Sequence, residues 1–508
     1  MLNKTPRSIV YSENWELIMN TIVYISGTRA DFGLMRSTLV KIHQSSEFDL
    51  KFIITGMHLS VQHGYTITEI EKENFEILGK VESSPQDDST AAMSISLANC
   101  MIGITKLLTE TNVDLVLLQG DRGEQLAAAI AASHMNIPIC HVSGGDVTGS
   151  IDDKIRNAIS MFADIHCNNT RSTFVSVSNF VIPITEIEKE NFEILGKVES
   201  SPQDDSTAAM SISLANCMIG ITKLLTETNV DLVLLQGDRG EQLAAAIAAS
   251  HMNIPICHVS GGDVTGSIDD KIRNAISMFA DIHCPATEFS ANRLIGSLNI
   301  KQHQVHIVGE PGLDDLITFN FINRAELFEK LHLNEGLPLI LIIQHPVTSE
   351  VADTADHMLA IIDAISNFTA NKLIVYPNSD AGSQEIINVI EAHESLENLS
   401  SVRNLERDEF INVMKHCDVM IGNSSAGIVE APSLQKPVIN IGTRQDGRLQ
   451  ANNIINVNYD SKQITAAIKK ALNDETFHKL IQNTKNPYGE GNSSELIFSI
   501  LKRYMGNE

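Results

Sequence analysis

The chain has 508 residues, of which 43% are hydrophobic and 20% are charged, and its formal net charge is −26. This apolar fraction excludes a disordered chain, and the acidic balance excludes a general nucleic-acid-binding protein. No apolar run reaches about eighteen residues, and the N-terminus lacks the apolar centre of a signal peptide. We therefore expect a cytoplasmic protein with no membrane span and no nucleic-acid partner.

An exact repeat dominates the sequence: Ile67–Cys167 recurs letter for letter as Ile184–Cys284. Solenoid repeats have periods of roughly 20–50 residues and drift in sequence, so an identical segment this long indicates a recent duplication. We call the two segments copy one and copy two; residues 168–183 connect them. Six of the seven cysteines are three counted twice, and no C-x-x-C spacing occurs, so we predict neither a metal site nor a disulfide framework.

Strands and helices alternate after an extension that we place at residues 1–18. Short β-branched or apolar runs predict strands, and spacings of three and four predict helices. Before and within copy one, the predicted strands are Thr21–Ser26, Leu50–Thr55, Val113–Gln119 and Ile137–Val142, and the predicted helices are Leu34–His43, Thr90–Thr109 and Gln125–Met135.

The same alternation returns after copy two. The predicted strands there are Val305–Val308, Leu337–Gln344, Lys372–Tyr376, Asp418–Ile421 and Val438–Ile441. Continuous apolar strands between helices indicate parallel sheets covered on both faces. We therefore predict an α/β fold with two doubly wound, Rossmann-like lobes that face a cleft. The N-terminal lobe is placed at 19–308, the C-terminal lobe at 309–508, and a hinge at Gly309–Gly312.

One candidate anion site is the run Gly422–Glu430, which follows an apolar strand and opens a helix. Free backbone N–H groups and the helix dipole favour a phosphate there, and Ser424 and Ser425 add hydroxyl donors. Glu430 follows within the helix, where its carboxylate could accept from sugar hydroxyls. The alternative is a plain helix cap, which explains one serine but not the whole run.

Two cationic candidates also follow predicted strands. Arg29 lies in the turn Gly27–Asp31, where its planar guanidinium could clamp a diphosphate across the cleft. His345 ends the strand Leu337–Gln344 and points toward the same cleft. The alternatives are a solvated arginine and a structural histidine.

Carboxylates from the repeat follow neighbouring strands. Close like charges separate the pKa values of two such groups, which yields an acid and a base from one residue type. One of the paired aspartates at the end of each set could instead cap the next helix. The sets are Asp121, Asp146, Asp152 and Asp153 in copy one and Asp238, Asp263, Asp269 and Asp270 in copy two.

Several enzyme classes are disfavoured because their motifs do not occur in the required context. There is no P-loop, no G-x-G-x-x-G, no H-E-x-x-H and no G-x-S-x-G. These absences argue against a kinase, a dehydrogenase, a metalloprotease and a serine hydrolase.

Taken together, the motifs closely resemble the hydrolysing UDP-N-acetylglucosamine 2-epimerases of the bacterial sialic- and legionaminic-acid pathways. The resemblance spans Met19 to Tyr504, counting one copy. The matching runs are GTRADFG (27–33), QGDRGE (119–124 and 236–241), HVSGGDVTGSIDD (141–153 and 258–270), QHP (344–346), PNSDAGS (377–383), GNSSAGIVEAPS (422–433) and NIGTRQDGR (440–448).

The resemblance implies a glycosyltransferase-B-like fold and a reaction that needs neither metal nor cofactor. UDP leaves C1 as a base removes the C2 proton, and water then adds to the resulting glycal. Matched by motif, the proton-transfer candidates are Asp121 or Asp238, Asp146 or Asp263, and Asp152 or Asp269. Matched in the same way, the UDP-binding candidates are Arg29, His345, Asn378, Ser424, Ser425, Glu430 and Arg444.

The sequence departs from many relatives at Ser143 and Ser260, which precede the Gly-Gly pair, and at Asn157 and Asn274. These departures suit an altered sugar, UDP-2,4-diacetamido-2,4,6-trideoxyglucose, in place of UDP-N-acetylglucosamine. Two further hypotheses are a UDP-sugar glycosyltransferase and an inactive UDP-sugar binder. By analogy with relatives, we expect a homodimer or homotetramer.

The repeat leaves open which copy completes the N-terminal lobe. Arg29 is continuous with copy one, whereas the second lobe is continuous with copy two. We slightly favour copy two, because residues 67–183 would then be extruded at a helix start, where insertions are tolerated. The unused copy would lack the first strands and would expose apolar surface, which predicts poor solubility or a swapped dimer.

Overall fold

The computed structural model describes residues 20–60, 65–83, 89–142, 151–163, 165–166, 195–198, 206–264, 268–347, 350–377 and 382–506. Within these ranges the strands form three parallel sheets, two with six strands and one with three. The predicted α/β class with two Rossmann-like lobes is confirmed. The division at residues 308 and 309 remains a prediction.

The first sheet contains the N-terminal strands and copy one. Its strand order is β3-β2-β1-β4-β5-β6, and every neighbouring pair is parallel. Alternate side chains of β1 enter opposite layers, with Tyr24 in one core and Val23 and Ile25 in the other. The strands are β1 (Asn20–Ser26), β2 (Phe48–Thr55), β3 (Glu76–Val81), β4 (Leu115–Gln119), β5 (Ile139–Val142) and β6 (Ile165–His166).

Copy two forms a separate sheet of three parallel strands, β7 (Val233–Gln236), β8 (Ile256–Val259) and β9 (Ile282–Cys284). The expectation that copy two completes the N-terminal sheet is therefore wrong, because β1 pairs with β4 of copy one. The predicted strand Val305–Val308 is also corrected. It runs beside β9 and donates from the His306 and Val308 amides, but it forms only one bridge, between Val305 and His283.

The second lobe contains the third sheet, with order β12-β11-β10-β13-β14-β15. Its central strand β10 is completely buried, as the run LPLILIIQ predicts. The strands are β10 (Leu339–Ile343), β11 (Asn371–Val375), β12 (Leu399–Val402), β13 (Val419–Gly422), β14 (Val438–Ile441) and β15 (Ile454–Val457).

Helices cover both faces of the sheets. In the first sheet and copy one they are α1 (Arg29–His43), α2 (Ile67–Glu71), α3 (Thr90–Thr109), α4 (Gly123–His134) and α5 (Ile151–Phe162); in copy two they are α6 (Thr207–Glu227), α7 (Gly240–His251) and α8 (Ile268–Phe279). Beyond copy two they are α9 (Glu288–Gly296), α10 (Gly312–Thr318), α11 (Arg324–Lys330), α12 (Thr354–Ile365), α13 (Ser383–Ala392), α14 (Arg407–His416), α15 (Ser425–Val429), α16 (Ser461–Asn473), α17 (Glu475–Gln482) and α18 (Ser493–Tyr504).

The two copies pack against each other through reciprocal contacts. Ser94 of copy one bonds to Thr222 (Oγ to Oγ1, 2.9 Å), and the equivalent pair Thr105 and Ser211 bonds at 3.0 Å. The same reciprocal pattern occurs between α5 and α8. The equivalent lysine of each copy donates from its ammonium group to the backbone carbonyl of the last residue in the other copy's helix. These contacts make α3 antiparallel to α6 and relate the copies by an approximate two-fold axis.

Two helices, α3 and α6, are long and apolar enough to cross a membrane by length and composition alone. Core helices of soluble proteins pass the same test. In this structure the two helices pack against each other and contribute Leu97, Met101, Leu214 and Met218 to one shared core.

Candidate active site

The candidate site lies where the carboxyl ends of the copy-two strands meet the second lobe. Asp263, which follows β8, accepts a hydrogen bond from Ser290 (Oγ to Oδ1, 2.5 Å). Arg448 of the second lobe approaches the other oxygen (Nη2 to Oδ2, 3.5 Å) and donates to the Val264 carbonyl. Gly447 permits this approach, since a Cβ there would lie 2.9 Å from the Val264 side chain. Asp263 is thus held by both lobes.

The aspartate after the first strand of each copy forms an ion pair with an arginine of the same copy. Asp238 pairs with Arg273 and is 2% exposed, whereas Asp121 pairs with Arg156 and is partly exposed. Asp238 is therefore the more buried of the two equivalent carboxylates. The guanidinium of Arg273 fixes the position of the Asp238 carboxylate at the end of the first copy-two strand.

The paired aspartates begin α5 and α8. The side chains of Asp152 and Asp269 lie outside the described part of the structure, although both residues are helical. Asp270 is buried and forms a bidentate pair with Arg293 (3.1 and 2.6 Å). Burial raises the pKa of Asp270, and Arg293 opposes that rise. Asp270 therefore holds Arg293 beside the Asp263 carbonyl, to which Arg293 also donates.

Glu310 is a functional candidate that the sequence analysis missed. It accepts hydrogen bonds from Ser260 (Oγ to Oε2, 2.7 Å) and Gln236 (Nε2 to Oε1, 3.0 Å). Burial is the largest cause that raises its pKa to about 7, with a smaller contribution from Asp263. A carboxyl that titrates near neutrality can donate or accept a proton. Glu310 lies in the predicted hinge, so its role in the site was not predicted. The signal that the sequence offered was an acidic residue between two predicted strands.

The second-lobe turn after β13 brings four predicted UDP-binding residues together around Asn423. The Asn423 side chain accepts from the His345 amide (2.8 Å) and donates to the His345 carbonyl (2.9 Å). Arg444 donates to the Asn423 carbonyl (Nη1, 3.0 Å) and is fully buried. Ser424 caps α15, whose first residue is Ser425. His345, Ser424, Ser425 and Arg444 therefore share one end of the third sheet.

Glu430 lies at the other end of α15 and does not stand free to accept from a sugar. Its Oε1 atom pairs with Arg407 (Nη2, 2.6 Å), which also donates to the Gly312 carbonyl. Burial raises the pKa of Glu430, and Arg407 opposes that rise. The pair ties α14 to the interlobe segment. A role for Glu430 in UDP binding remains a prediction.

Arg29 is not brought to this site. It begins α1 and is exposed, and its side chain makes no hydrogen bond or ion pair within the described residues. Its turn is well ordered by Asp31, which accepts from the Gly27 and Thr28 amides and from Ser26. Because α1 packs on β1 and β2, Arg29 belongs to the sheet of copy one rather than to the sheet that meets the second lobe.

Two predicted site residues, Asp146 and Asn378, lie outside the described residues. Across the part of the chain that the structure describes, no group of three or more His, Cys, Asp or Glu residues could hold a metal ion. The six cysteines within that part are buried and form no disulfide.

Two Rossmann-like lobes with acids on one side and a serine-capped helix on the other define a glycosyltransferase-B-like protein of the nucleotide-sugar class. The family model described as UDP-N-acetylglucosamine 2-epimerase matches residues 40–183 and again 183–502. The chain belongs to the UDP-N-acetylglucosamine 2-epimerase family.

Curated relatives agree with this membership. The chain is 28% identical to the hydrolysing UDP-N,N'-diacetylbacillosamine 2-epimerase of Legionella pneumophila, with 96% of each chain covered. It is 31% identical to the UDP-N-acetylglucosamine 2-epimerase of Neisseria meningitidis, over 58% of this chain and 78% of that protein. It is also 31% identical to the hydrolysing GDP/UDP-N,N'-diacetylbacillosamine 2-epimerase of Campylobacter jejuni, over 54% of this chain and 72% of that protein.

Solved structures show the same fold. The Neisseria meningitidis UDP-GlcNAc 2-epimerase bound to UDP-GlcNAc aligns with a TM-score of 0.51 at 19% identity, covering 77% of this chain and 99% of that one. A Listeria monocytogenes protein described as a candidate UDP-N-acetylglucosamine 2-epimerase gives the same TM-score at 15% identity, with 96% and 97% covered.

Proposed function

We propose that the chain hydrolyses a UDP-sugar with inversion at C2. A base removes the C2 proton as UDP leaves C1, which gives an enzyme-bound glycal. Water then adds at C1, and C2 is reprotonated on the opposite face. The observation that supports this proposal is the set of carboxyls at the copy-two edge, where Asp238, Asp263 and Glu310 lie in different electrostatic surroundings.

Those surroundings suit an acid–base pair. Asp238 forms an ion pair with Arg273, whereas burial raises the pKa of Glu310 to about 7, so Glu310 can donate or accept a proton near neutral pH. We assign proton transfer to the candidates Asp238, Asp263 and Asp269 and add Glu310. We assign UDP to the turn with Ser424 and Ser425 and to His345, Asn378 and Arg444, with Arg29 and Glu430 as further candidates.

Two UDP-sugars are equally well supported as the substrate. With UDP-N-acetylglucosamine the products are N-acetylmannosamine and UDP, which fits the relative from Neisseria meningitidis. With UDP-N,N'-diacetylbacillosamine, which is UDP-2,4-diacetamido-2,4,6-trideoxyglucose, the reaction is the same. That substrate fits the names of the relatives from Legionella pneumophila and Campylobacter jejuni.

The decisive experiment incubates each UDP-sugar in D2O with the full chain and with a single-copy chain that lacks residues 67–183. We expect UDP and a free, manno-configured sugar with deuterium at C2, detected by NMR. If neither chain releases that product from either sugar, the proposal is wrong. UDP release that requires an added acceptor and leaves C2 unlabelled would indicate a glycosyltransferase instead.

We further propose a cytoplasmic location and a homo-oligomeric state for the single-copy form. The location rests on the nucleotide-sugar substrate class. The oligomeric state rests on the reciprocal contacts between the two copies, which have the pattern of a symmetric subunit interface.

A further inference from the structure

The turn after β14 carries two polar side chains to which the proposed reaction assigns no role. They belong to the run NIGTRQDGR (440–448), from which only Arg444 is a UDP-binding candidate. Gln445 is completely buried, and the side chain of Arg448 is 6% exposed. Their contacts reach the turn after β13 on one side and copy two on the other.

Gln445 holds the backbone of the turn after β13. Its Nε2 atom donates to the Asn423 carbonyl (2.7 Å), which also accepts from Arg444 (Nη1, 3.0 Å). Because a peptide unit is planar, two donors on this oxygen fix the orientation of the unit that joins Asn423 to Ser424. The proposed function assigns UDP to this turn, which we call the UDP turn (residues 423–425).

Arg448 sets the orientation of the Gln445 amide. The Oε1 atom of Gln445 accepts from Arg448 (Nη1, 3.3 Å). A reversed amide would turn its NH2 group toward the guanidinium and its oxygen toward the Asn423 carbonyl, and both contacts would be repulsive. Only one orientation therefore satisfies the two partners. Glutamine suits this position because its side chain has both a donor and an acceptor.

The guanidinium of Arg448 uses a separate nitrogen for each of three partners. Besides Gln445, it contacts the Val264 carbonyl (Nε, 3.2 Å) and the Asp263 carboxylate (Nη2 to Oδ2, 3.5 Å). A lysine would keep the charge but would not present three donors in one rigid plane. Arg448 therefore connects Gln445 to a carboxylate to which the proposed function assigns proton transfer.

The backbone that carries Arg448 is fixed by a buried tyrosine. The phenol of Tyr488 donates to the Leu449 carbonyl (3.1 Å), and the Tyr488 carbonyl accepts from the Glu310 amide (2.8 Å). Tyr488 is 1% exposed. The segment with Arg448 is thus tied to the segment with Glu310, a further candidate for proton transfer. Asp263, Arg448 and Glu310 belong to one packed unit.

We propose that Gln445 and Arg448 are positioning residues that join the UDP turn to the carboxylate of Asp263. The path runs from the Asn423 carbonyl through the Gln445 amide and the Arg448 guanidinium to Asp263. A reaction in which UDP leaves C1 as a proton leaves C2 needs both sites at a fixed separation, and the path supplies it. This inference rests on the proposed function for the roles of the UDP turn and of Asp263.

A cycle of UDP titrations tests the path in the full chain without turnover. Gln445→Met removes the amide at similar volume, and Arg448→Lys keeps the charge but removes the planar fork. By calorimetry, we expect each variant to weaken UDP binding by about two- to tenfold, the effect of one lost hydrogen bond. In the double variant, R448K is expected to add nothing to Q445M, because no amide remains to be oriented. The control is Gln463→Met, at an exposed glutamine of α16, which should bind UDP as the wild type does.

Two results of the titrations would overturn the path. One is an R448K chain that binds UDP as tightly as the wild type. The other is a double variant whose loss of affinity is the product of the two single losses, since that would show independent action. A wild-type chain that binds no UDP would instead refute the assignment of UDP to the turn, and the path with it.

Turnover of a C2-deuterated UDP-sugar tests the effect on proton transfer. The rate is referred to the number of UDP sites found by calorimetry, so that misfolded chains do not count. We expect kcat of Q445M and R448K to fall by about ten- to a hundredfold, as for a misplaced reacting group, with a large isotope effect because proton transfer limits the rate. A wild-type kcat, or a low kcat with an isotope effect near unity, would overturn the positioning role. If the wild type turns over neither sugar, the proposed reaction fails, and the titrations still decide the path.

Discussion

Glu310 connects the two lobes, and its carboxyl keeps its proton to a higher pH than an ordinary glutamate does. Its carboxyl accepts from Ser260 and Gln236 of copy two while its backbone belongs to the segment that leads into the second lobe. The folded-state pKa of about 7 lies above the ordinary value of 4.5. The native state therefore binds this proton more tightly than the unfolded chain does.

That difference makes the stability of the wild type depend on pH. The contribution of Glu310 is fully present below about pH 4.5 and is lost as the pH rises through about 7. We expect E310Q to match the wild type at pH 4.5 and to exceed it by on the order of 2 kcal/mol at pH 8, allowing for partial exposure. Urea unfolding at both pH values checks this, with the exposed Glu329→Gln as control.

An advantage for E310Q that is equal at both pH values would contradict the assignment of the proton to Glu310. Turnover gives an independent readout. If Glu310 exchanges a proton with the substrate, E310Q loses the limb of the pH–rate profile near pH 7 as well as most of its rate.

Gly422 is the glycine on which the predicted phosphate turn depends. Its φ is +122°, and a Cβ there would lie 2.0 Å from the Ile343 carbonyl oxygen of β10. We expect Gly422→Ala to destabilise the second lobe by about 3 kcal/mol or more and to weaken UDP binding. Thermal unfolding and calorimetric titration with UDP measure the two effects.

Gly33 provides the contrasting control for Gly422. It lies in the exposed part of α1, and a Cβ there would meet nothing within 4 Å. Gly33→Ala is expected to stabilise the chain by about 0.5–1 kcal/mol. A similar loss of stability in both variants would show that the carbonyl contact at Gly422 is not the cause.

At the scale of elements, apolar runs predicted the central strands and missed the edges. β1, β2, β4 and β5 and the inner strands of the third sheet all fall on predicted runs. The strands that the sequence did not predict, β3, β6, β9, β12 and β15, are all terminal members of their sheets. An edge strand pairs with a neighbour on one side only, and it is often short or rich in polar residues, as the sequence LSSV of β12 illustrates. Periodicity therefore detects burial on two faces rather than strand pairing.

The candidate site was predictable where a polar motif follows a central strand. His345, Ser424, Ser425 and Arg444 gather as expected, because they follow neighbouring parallel strands. Glu310 was not predictable, since no regular element precedes it and its partners come from another lobe. The position of Arg29 was not predictable either, because two identical edges compete for the strand that carries it.

At the scale of the whole molecule, the reciprocal packing of the copies resembles a subunit interface inside one chain. A single-copy chain without residues 67–183 would expose the face of α6 and α8 that copy one now covers. We expect that chain to dimerise through this face, as measured by light scattering. Ser211→Glu, at a completely buried centre of the face, is expected to give monomers.

The control for this interface is Ser37→Glu, on the exposed face of α1. It should leave the mass unchanged. A single-copy chain that is monomeric, or an S211E form that dimerises normally, would contradict the inference from the reciprocal contacts.

The same two-fold pairing changes how substitutions act on this interface. In a symmetric dimer of separate chains, one altered codon changes both sides at once, and its energetic effect is counted twice. Here Ser94 and Ser211 are encoded separately, although they occupy equivalent positions. A substitution at one of them therefore alters only one of the two equivalent contacts. A complementary substitution can then arise on the opposite side of the interface. The duplication thereby opens the interface to asymmetric pairs, such as a large residue facing a small one, that a homodimer cannot explore.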